Sequence, residues 1–106
     1  MKLSEAMRIG ARMHPQATGW LWLDSSDHPT RDHRLVASTC AIGAACMGAG
    51  VDTETTAFRA ALTRPYIPCP KCGGLSEYLG HAVVHLNDDH HEPRERIADW
   101  LEEQGL

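Results

Sequence analysis

Two cysteines and two histidines in the second half of the chain have the spacing of a metal-binding site. Cys69 and Cys72 form a C-x2-C turn, and His85 and His90 complete the pattern C-x2-C-x12-H-x4-H. Thiolates and imidazoles at such spacings are typical ligands of tetrahedral zinc. Because four protein ligands leave no open position for water or substrate, the pattern predicts a structural zinc ion.

The residues around the two cysteines favour a metal-binding knuckle. Pro68 and Pro70 stiffen the chain on the approach to the turn, and Gly73 permits the left-handed backbone that such knuckles use. Beyond the first histidine, Asp88 and Asp89 are candidates to accept a hydrogen bond from a ligating imidazole. These neighbours are the residue types that a zinc knuckle and its supporting contacts require.

A second choice of histidine ligands is also open. His81 and His85 lie four residues apart, so they share one face of a helix and give the shorter pattern C-x2-C-x8-H-x3-H. The pair His85 and His90 is preferred because its spacing is closer to that of two-cysteine, two-histidine sites. His81 is the alternative ligand, and His91 is a third choice.

Length and composition predict a small, mainly α, zinc-stabilised single domain. A chain of 106 residues with one Phe buries a modest core, and a metal ion would add stability. Within residues 1–106 we distinguish a helical N-terminal part, 1–64, with an exposed loop at 24–34. Residues 65–106 hold the zinc knuckle and two helices.

Apolar periodicity and breaker residues predict the individual elements. Helices are expected over 3–13, 40–47, 52–64, 75–86 and 93–103. Ser4 is expected to cap the first helix and Ser38-Thr39 the second, and residues 87–89 are expected to break the fourth. A short β-hairpin is predicted near residues 19–37, with Leu35 and Val36 on its returning strand.

The charge distribution argues against a sequence-independent nucleic-acid or membrane binder. Residues 73–106 hold eight acidic residues and two arginines, whereas residues 1–72 hold eight basic and six acidic residues. Non-specific binding to DNA or anionic lipid needs a cationic surface. The acidic outer face of the last helix is either a solvated face or a docking surface for a basic partner.

The N-terminus and the cysteines predict a cytoplasmic protein. The chain begins with a charged amphipathic segment and has no apolar run of membrane-spanning length. A reducing compartment then makes free thiols or metal ligands the expected state of the cysteines. Cys40 and Cys46 are expected to be small buried hydrophobic residues.

Other aromatic and histidine residues have less specific interpretations. Trp20 and Trp22 are expected in the core, the alternative being an exposed contact for a partner. His28 and His33 lie in the polar loop and are expected to be solvated.

The sequence contains parts of the motifs of three enzyme classes, but none of these motifs is complete. Pro68 to Cys72 matches half of the zinc deaminase signature, but no H-x-E motif precedes it. The segment 85–91 allows an HNH-like metal-dependent nuclease, but no second C-x2-C pair follows the histidines. A thioredoxin-like motif would need a βαβ context. The chain is therefore predicted not to be an enzyme.

Three segments resemble a family of small uncharacterised proteins of tailed phages and prophages. They are His85-Leu86-Asn87-Asp88-Asp89-His90 with the following Arg94 to Glu102, the start from Met1 to Gly10, and the small-residue run from Thr39 to Ala45. The resemblance implies a phage or prophage origin and a bacterial cytoplasmic setting. It also favours His85 and His90 over His81, because both lie in the shared motif. It implies no activity.

These observations predict a zinc-binding accessory protein that acts as a binding module, on a host or phage protein. One alternative is a nucleic-acid-binding regulator that uses the scattered arginines, which are Arg8, Arg12, Arg31, Arg34, Arg59 and Arg64. The other alternative is the HNH-like nuclease. No membrane partner is expected.

Overall fold

The structure is a computed structural model that describes residues 1–51 and 56–106. Within these ranges the chain is mainly helical, as the sequence predicts. The helices are α1 (Leu3–Ala11), α2 (Ala41–Ala49), α3 (Thr56–Leu62), α4 (Leu79–Asp88) and α5 (Arg94–Glu103). The strands are β1 (Trp22–Leu23), β2 (Ser38–Thr39), β3 (Pro65–Pro68) and β4 (Leu75–Tyr78), in two antiparallel two-stranded sheets.

Helices α1 and α2 pack with their backbones in direct contact. A Cβ atom at Gly10 would lie 1.7 Å from the carbonyl oxygen of Ala44, and one at Gly48 would lie 1.9 Å from that of Ala6. Only glycine at these positions allows the two helix axes to approach so closely. The small residues of α2 therefore serve close helix packing.

The predicted helix caps are wrong, because tertiary contacts use those side chains. Helix α1 begins at Leu3, one residue before Ser4, and the buried Ser4 hydroxyl donates to the carbonyl oxygen of Leu106 at 3.1 Å. The Ser38-Thr39 pair forms β2, and the N-cap of α2 is Cys40. Its sulfur accepts a hydrogen bond from the backbone N–H of Gly43 at 3.4 Å.

The predicted hairpin is present, but its returning strand lies later in the chain. Trp22 pairs with Thr39 and Leu23 pairs with Ser38, rather than with the predicted residues 35 and 36. Residues His33–Leu35 form a 3-10 turn instead, because the Asp32 carboxylate accepts a hydrogen bond from the backbone N–H of Arg34. The chain therefore makes a local turn at the end of the loop, and the returning strand β2 begins only after this turn.

The two neighbouring tryptophans have different environments. Trp22 is buried, and its indole N–H donates to the carbonyl oxygen of Gly43 at 3.2 Å. Trp20 is 59% exposed, so its predicted core position is wrong. Trp20 lies in a bend before β1 begins at Trp22, so the two side chains do not share one face of an extended strand.

The helix predicted over 52–64 is described from Thr56 to Leu62, and residues 52–55 lie outside the described residues. Phe58 and Leu62 on this helix are buried and belong to the core.

The segment before α4 is a strand and not the predicted first turn of a helix. β4 pairs with β3 through Pro65 and Tyr78, Ile67 and Ser76, and Pro68 and Leu75. The knuckle between the strands reverses the chain, so residues 75–78 return beside β3 and satisfy their backbone groups there. Leu75 is consequently 79% exposed instead of being part of an apolar helical stripe.

Helix α4 begins at Leu79 and continues to Asp88, past the predicted break at 87–89. Leu79, Val83 and Leu86 on α4 are buried, as are Ile97 and Leu101 on α5. This core supports the helix whose C-terminal end carries the candidate histidine ligands. Among the residues that the structure describes, no helix has the length and apolar character that crossing a bilayer requires.

The contact between α1 and α2 gives a stability prediction. Gly to Ala inside a helix ordinarily stabilises by about 0.5–1 kcal/mol. We expect Gly10→Ala instead to lower the free energy of unfolding by about 2 kcal/mol or more, because its methyl group would overlap the Ala44 carbonyl. Urea unfolding followed by circular dichroism measures this change. The control is Glu5→Ala, at an exposed position of α1, which should stay within about 0.5 kcal/mol. A Gly10→Ala protein as stable as the parent would contradict the described packing.

Candidate metal centre

Cys69, Cys72, His85 and His90 come together at one point of the surface. Each offers one ligand atom, and these four atoms all lie within 4.8 Å of one another. Tetrahedral zinc with bonds of about 2.0–2.3 Å places its ligand atoms about 3.3–3.8 Å apart. A small contraction of the cluster would therefore close it around one ion. The arrangement can hold a metal ion. Zinc binding by these four residues stays a prediction.

The two thiols are positioned by the turn between β3 and β4. Cys69 is buried and its sulfur accepts a hydrogen bond from the backbone N–H of Lys71 at 3.4 Å, whereas Cys72 is exposed. Gly73 has φ +71, in the left-handed region, and its N–H donates to the carbonyl oxygen of Cys69 at 2.8 Å. The predicted need for glycine after the second cysteine is thus met in the structure.

The two imidazoles reach the thiols from the C-terminal end of α4. His85 lies in its last turn and His90 lies just beyond Asp88, where the helix ends. The Nε2 atoms of the two histidines are 3.0 Å apart, and His85 Nε2 is 3.5 Å from the sulfur of Cys72. Both histidines therefore present Nε2 to the centre of the cluster.

Asp89 determines which ring nitrogen of His85 is available to bind a metal ion. Its carboxylate oxygen lies 2.7 Å from His85 Nδ1, so it accepts a hydrogen bond from that nitrogen and leaves Nε2 for a metal. Of the two predicted acceptors, Asp88 has another role, since it accepts a hydrogen bond from Asn87 at 2.7 Å. A carboxylate behind a ligating imidazole is the usual arrangement in zinc sites.

The alternative histidines lie outside the cluster of ligand atoms. His81 is exposed on α4, with its ring edge-on to Tyr78 at a centroid distance of 5.5 Å. His91 is exposed and has φ +50 in the left-handed region, two residues before Pro93. Neither contributes an atom to the group that the other four residues form.

The electrostatics of the cluster favour charged ligands. Hydrogen bonding, foremost to His85 and then to the Gly74 N–H, lowers the pKa of Cys72 from 9.0 to about 6. The neighbouring Cys72 sulfur, and then Asp89, raise the pKa of His85. Without metal, both shifts favour the thiolate form of Cys72 and the protonated form of His85. Metal binding would displace the imidazolium proton, so affinity should fall in acid.

The knuckle is fixed to the segment after α4 by an ion pair that the sequence did not reveal. Lys71 Nζ lies 2.9 Å from a carboxylate oxygen of Glu92, whose side chain is only 9% exposed. The backbone carbonyl of Glu92 also accepts a hydrogen bond from Gln16 Nε2 at 2.7 Å. No local pattern marks Gln16 or Glu92, because their partners are distant in sequence.

The remaining cysteines and histidines lie elsewhere. Cys40 and Cys46 are buried, as predicted, and burial raises the pKa of the Cys40 thiol. His28 is exposed, whereas the half-buried His33 packs edge-on against Trp22 at a centroid distance of 4.7 Å. The prediction of a solvated His33 is therefore wrong, because the 3-10 turn directs the ring onto the tryptophan.

Comparison of the chain with protein-family models, with curated proteins and with solved structures gives no match.

Histidine variants test which residues bind the metal. We expect His85→Ala and His90→Ala each to weaken zinc binding by more than about 100-fold, since loss of a ligand costs more than loss of a supporting contact. His81→Ala is the matched control on the same helix and should keep the affinity of the parent protein. Competition with a chromophoric chelator gives the three constants. Zinc loss in His81→Ala, with retention in His90→Ala, would reverse the ligand assignment.

Alkylation tests the ionisation of Cys72 in the metal-free protein. Because its pKa is lowered to about 6, the reactive thiolate should persist at neutral pH and disappear only as the pH falls below about 6. The rate of iodoacetamide labelling at Cys72, followed by peptide mass spectrometry, should show this midpoint. The buried Cys40 and Cys46 are internal controls and should label slowly. Zinc should protect Cys72, and a midpoint near pH 9 would contradict the described hydrogen bonding.

Proposed function

We propose that this protein is a small zinc-binding accessory module of phage or prophage type that acts by binding another protein. The observation that carries the proposal is the convergence of two thiols and two imidazoles within 4.8 Å. A complete set of four protein donors supports a structural ion, since no coordination position is left for substrate. The C-terminal motif from His85 to Glu102 supports the phage origin and the bacterial cytoplasmic setting.

Zinc would contribute directly to the stability of the fold. Cys69 belongs to the buried core, and His85 lies on α4 between the buried residues Val83 and Leu86. An ion that joins the knuckle to α4 therefore joins two segments that also pack in the core. Binding free energy at such a site is folding free energy, because the site does not exist in the unfolded chain.

A protein partner is favoured over nucleic acid by the ion pairs of Arg8 and Arg34, two of the six arginines that a nucleic-acid surface would use. Arg8 donates to Asp99 at 2.8 Å and also pairs with Glu102 at 3.1 Å, and Arg34 pairs with Asp32 at 2.9 Å. These cations are already neutralised within the protein, so they contribute little to a phosphate-binding surface. Together with the acidic C-terminal third, this supports a binding surface for protein.

One observation keeps the nucleic-acid-binding regulator as the second candidate. The order β3, knuckle, β4, α4, with both cysteines in the hairpin and both histidines at the helix end, is the ββα order of DNA-reading fingers. The exposed positions of α4 include His81 and Val84 but no lysine or arginine. The helix thus lacks the basic residues that contact phosphate and guanine. The nuclease alternative has less support, because His85 and His90 both turn towards the thiols.

Metal analysis tests the proposal first. We expect one zinc per chain after purification without chelators, and loss of helical circular dichroism when a strong chelator removes it. Mass spectrometry under native conditions gives the stoichiometry. The doubly substituted Cys69→Ser, Cys72→Ser protein is expected to contain no zinc, whereas a Cys40→Ala protein is the control that should keep it.

Two outcomes would contradict parts of this proposal. Protein free of metal and fully helical would remove the structural role of zinc. Retention on immobilised DNA that weakens steeply with salt would favour the second candidate over a protein partner.

A further inference from the structure

The two cysteines of the metal centre differ in their access to solvent. Cys69 is 2% exposed and lies in the core, whereas Cys72 is an exposed residue. The sulfur of Cys69 also accepts a hydrogen bond from the backbone N–H of Lys71 at 3.4 Å. An oxidant dissolved in water therefore reaches the sulfur of Cys72 first.

The turn that carries the two cysteines brings their sulfurs close together. Both sulfurs belong to the group of ligand atoms that all lie within 4.8 Å of one another. The hydrogen bond from the Gly73 N–H to the Cys69 carbonyl oxygen closes the turn. The first and last Cα atoms of a four-residue turn lie less than about 7 Å apart, and a disulfide needs a separation of about 4.4–6.8 Å. The backbone of the turn therefore permits a disulfide between Cys69 and Cys72.

The other two cysteines cannot form such a bond with each other. Cys40 is the N-cap residue of α2, and Cys46 lies six residues further along the same helix. Six residues of α-helix span about 9 Å, which is beyond the reach of a disulfide. Both residues are also buried, so an oxidant in solvent reaches them less easily than it reaches Cys72.

A disulfide between Cys69 and Cys72 and a bound metal ion exclude each other. Zinc binds cysteine as the thiolate, and formation of the disulfide removes both thiolates at once. Two imidazoles, those of His85 and His90, would then remain from the set of four donors, which is too few for a tetrahedral structural site. Oxidation of the pair would therefore release the ion and break the metal link between the turn and α4.

We propose that the metal centre is a redox switch, in which hydrogen peroxide converts Cys69 and Cys72 to a disulfide and releases the zinc ion. This inference rests on the proposed function and adds a regulation of the same site. The exposed Cys72 is the thiol that is attacked first, and the buried Cys69 is the thiol that completes the disulfide. A dithiol reductant restores both thiolates and with them the site.

The oxidation proceeds in two steps. The sulfur of Cys72 attacks peroxide, so that an S–O bond forms, the O–O bond breaks, and the departing hydroxide takes up a proton to become water. The sulfur of Cys69 then attacks the sulfenic acid, so that the S–S bond forms, the S–O bond breaks, and a second hydroxide leaves and is protonated. The two thiolates lose two electrons to peroxide, and two protons from solvent complete two water molecules. Bound zinc slows the first step, as it slows alkylation, but leaves the sulfur of Cys72 at the surface.

Peroxide treatment of the full-length, zinc-loaded protein tests the proposal. We expect release of about one zinc per chain, detected with a chromophoric chelator, in step with a fall in protein mass of about 2 Da for the two hydrogens lost. Peptide mapping should place the disulfide between Cys69 and Cys72. Dithiothreitol followed by zinc should restore the loaded protein. The Cys40→Ala protein is the control and should release zinc at the rate of the parent.

A matched pair of variants tests the order of attack. In the metal-free Cys69→Ser protein, Cys72 should form a sulfenic acid that dimedone traps. In the metal-free Cys72→Ser protein, the buried Cys69 should react at least about tenfold more slowly. Brief peroxide treatment of the parent protein with dimedone present should label Cys72 and not Cys69. This last measurement gives the order even where a variant does not fold.

Several results would overturn the inference and leave the proposed function standing. These are zinc that stays bound with both thiols unmodified, a disulfide between two chains through Cys72, sulfinic acid at Cys72 without a disulfide, and first labelling at Cys69. Zinc content is measured in the reduced protein before peroxide is added. Absence of zinc at that point would refute the proposed function itself, which separates the two failures.

Discussion

The position of α4 depends on the buried amide of Asn87, which is 1% exposed. Its oxygen accepts hydrogen bonds from Gln16 Nε2 and the Ala41 N–H, and its nitrogen donates to the Ala17 carbonyl and to Asp88. All four hydrogen-bonding positions of the amide are thus used. Each unsatisfied buried group would cost about 1–3 kcal/mol. This contact fixes the end of α4, and hence both imidazoles, against the N-terminal half.

The thiol side of the metal centre is held independently of any ion. Cys69 is part of the core, and the ion pair from Lys71 to the nearly buried Glu92 connects the knuckle to the segment that leads into α5. Since both halves of the site are placed by protein contacts, a metal finds its ligands close to their final positions. A bound ion would then replace the contacts of His85 Nε2 with the Cys72 sulfur and with His90 Nε2 by bonds to one metal.

The sequence predicts features that depend on neighbours along the chain and misses those that depend on distant ones. Helix α5 and the turn at Cys72 follow local rules, namely apolar periodicity and the conformational freedom of glycine. Residues 75–78 have a helical apolar pattern, yet they form β4 because the hairpin supplies their hydrogen-bond partners. The continuation of α4 through Asn87 likewise depends on partners 46 or more residues away. The ligand spacing could be identified in advance, whereas the supporting pair Lys71–Glu92 could not.

The direct contact of α1 with α2 also limits how this protein can diverge. At Gly10 and Gly48 any side chain would collide with a backbone carbonyl, which cannot move aside as a flexible side chain could. Relatives can therefore vary in surface charge, in the loop at 24–34 and in the exposed Trp20 while keeping the fold. They would be recognised by paired small residues on two helices, together with the cysteine and histidine spacing, rather than by overall identity.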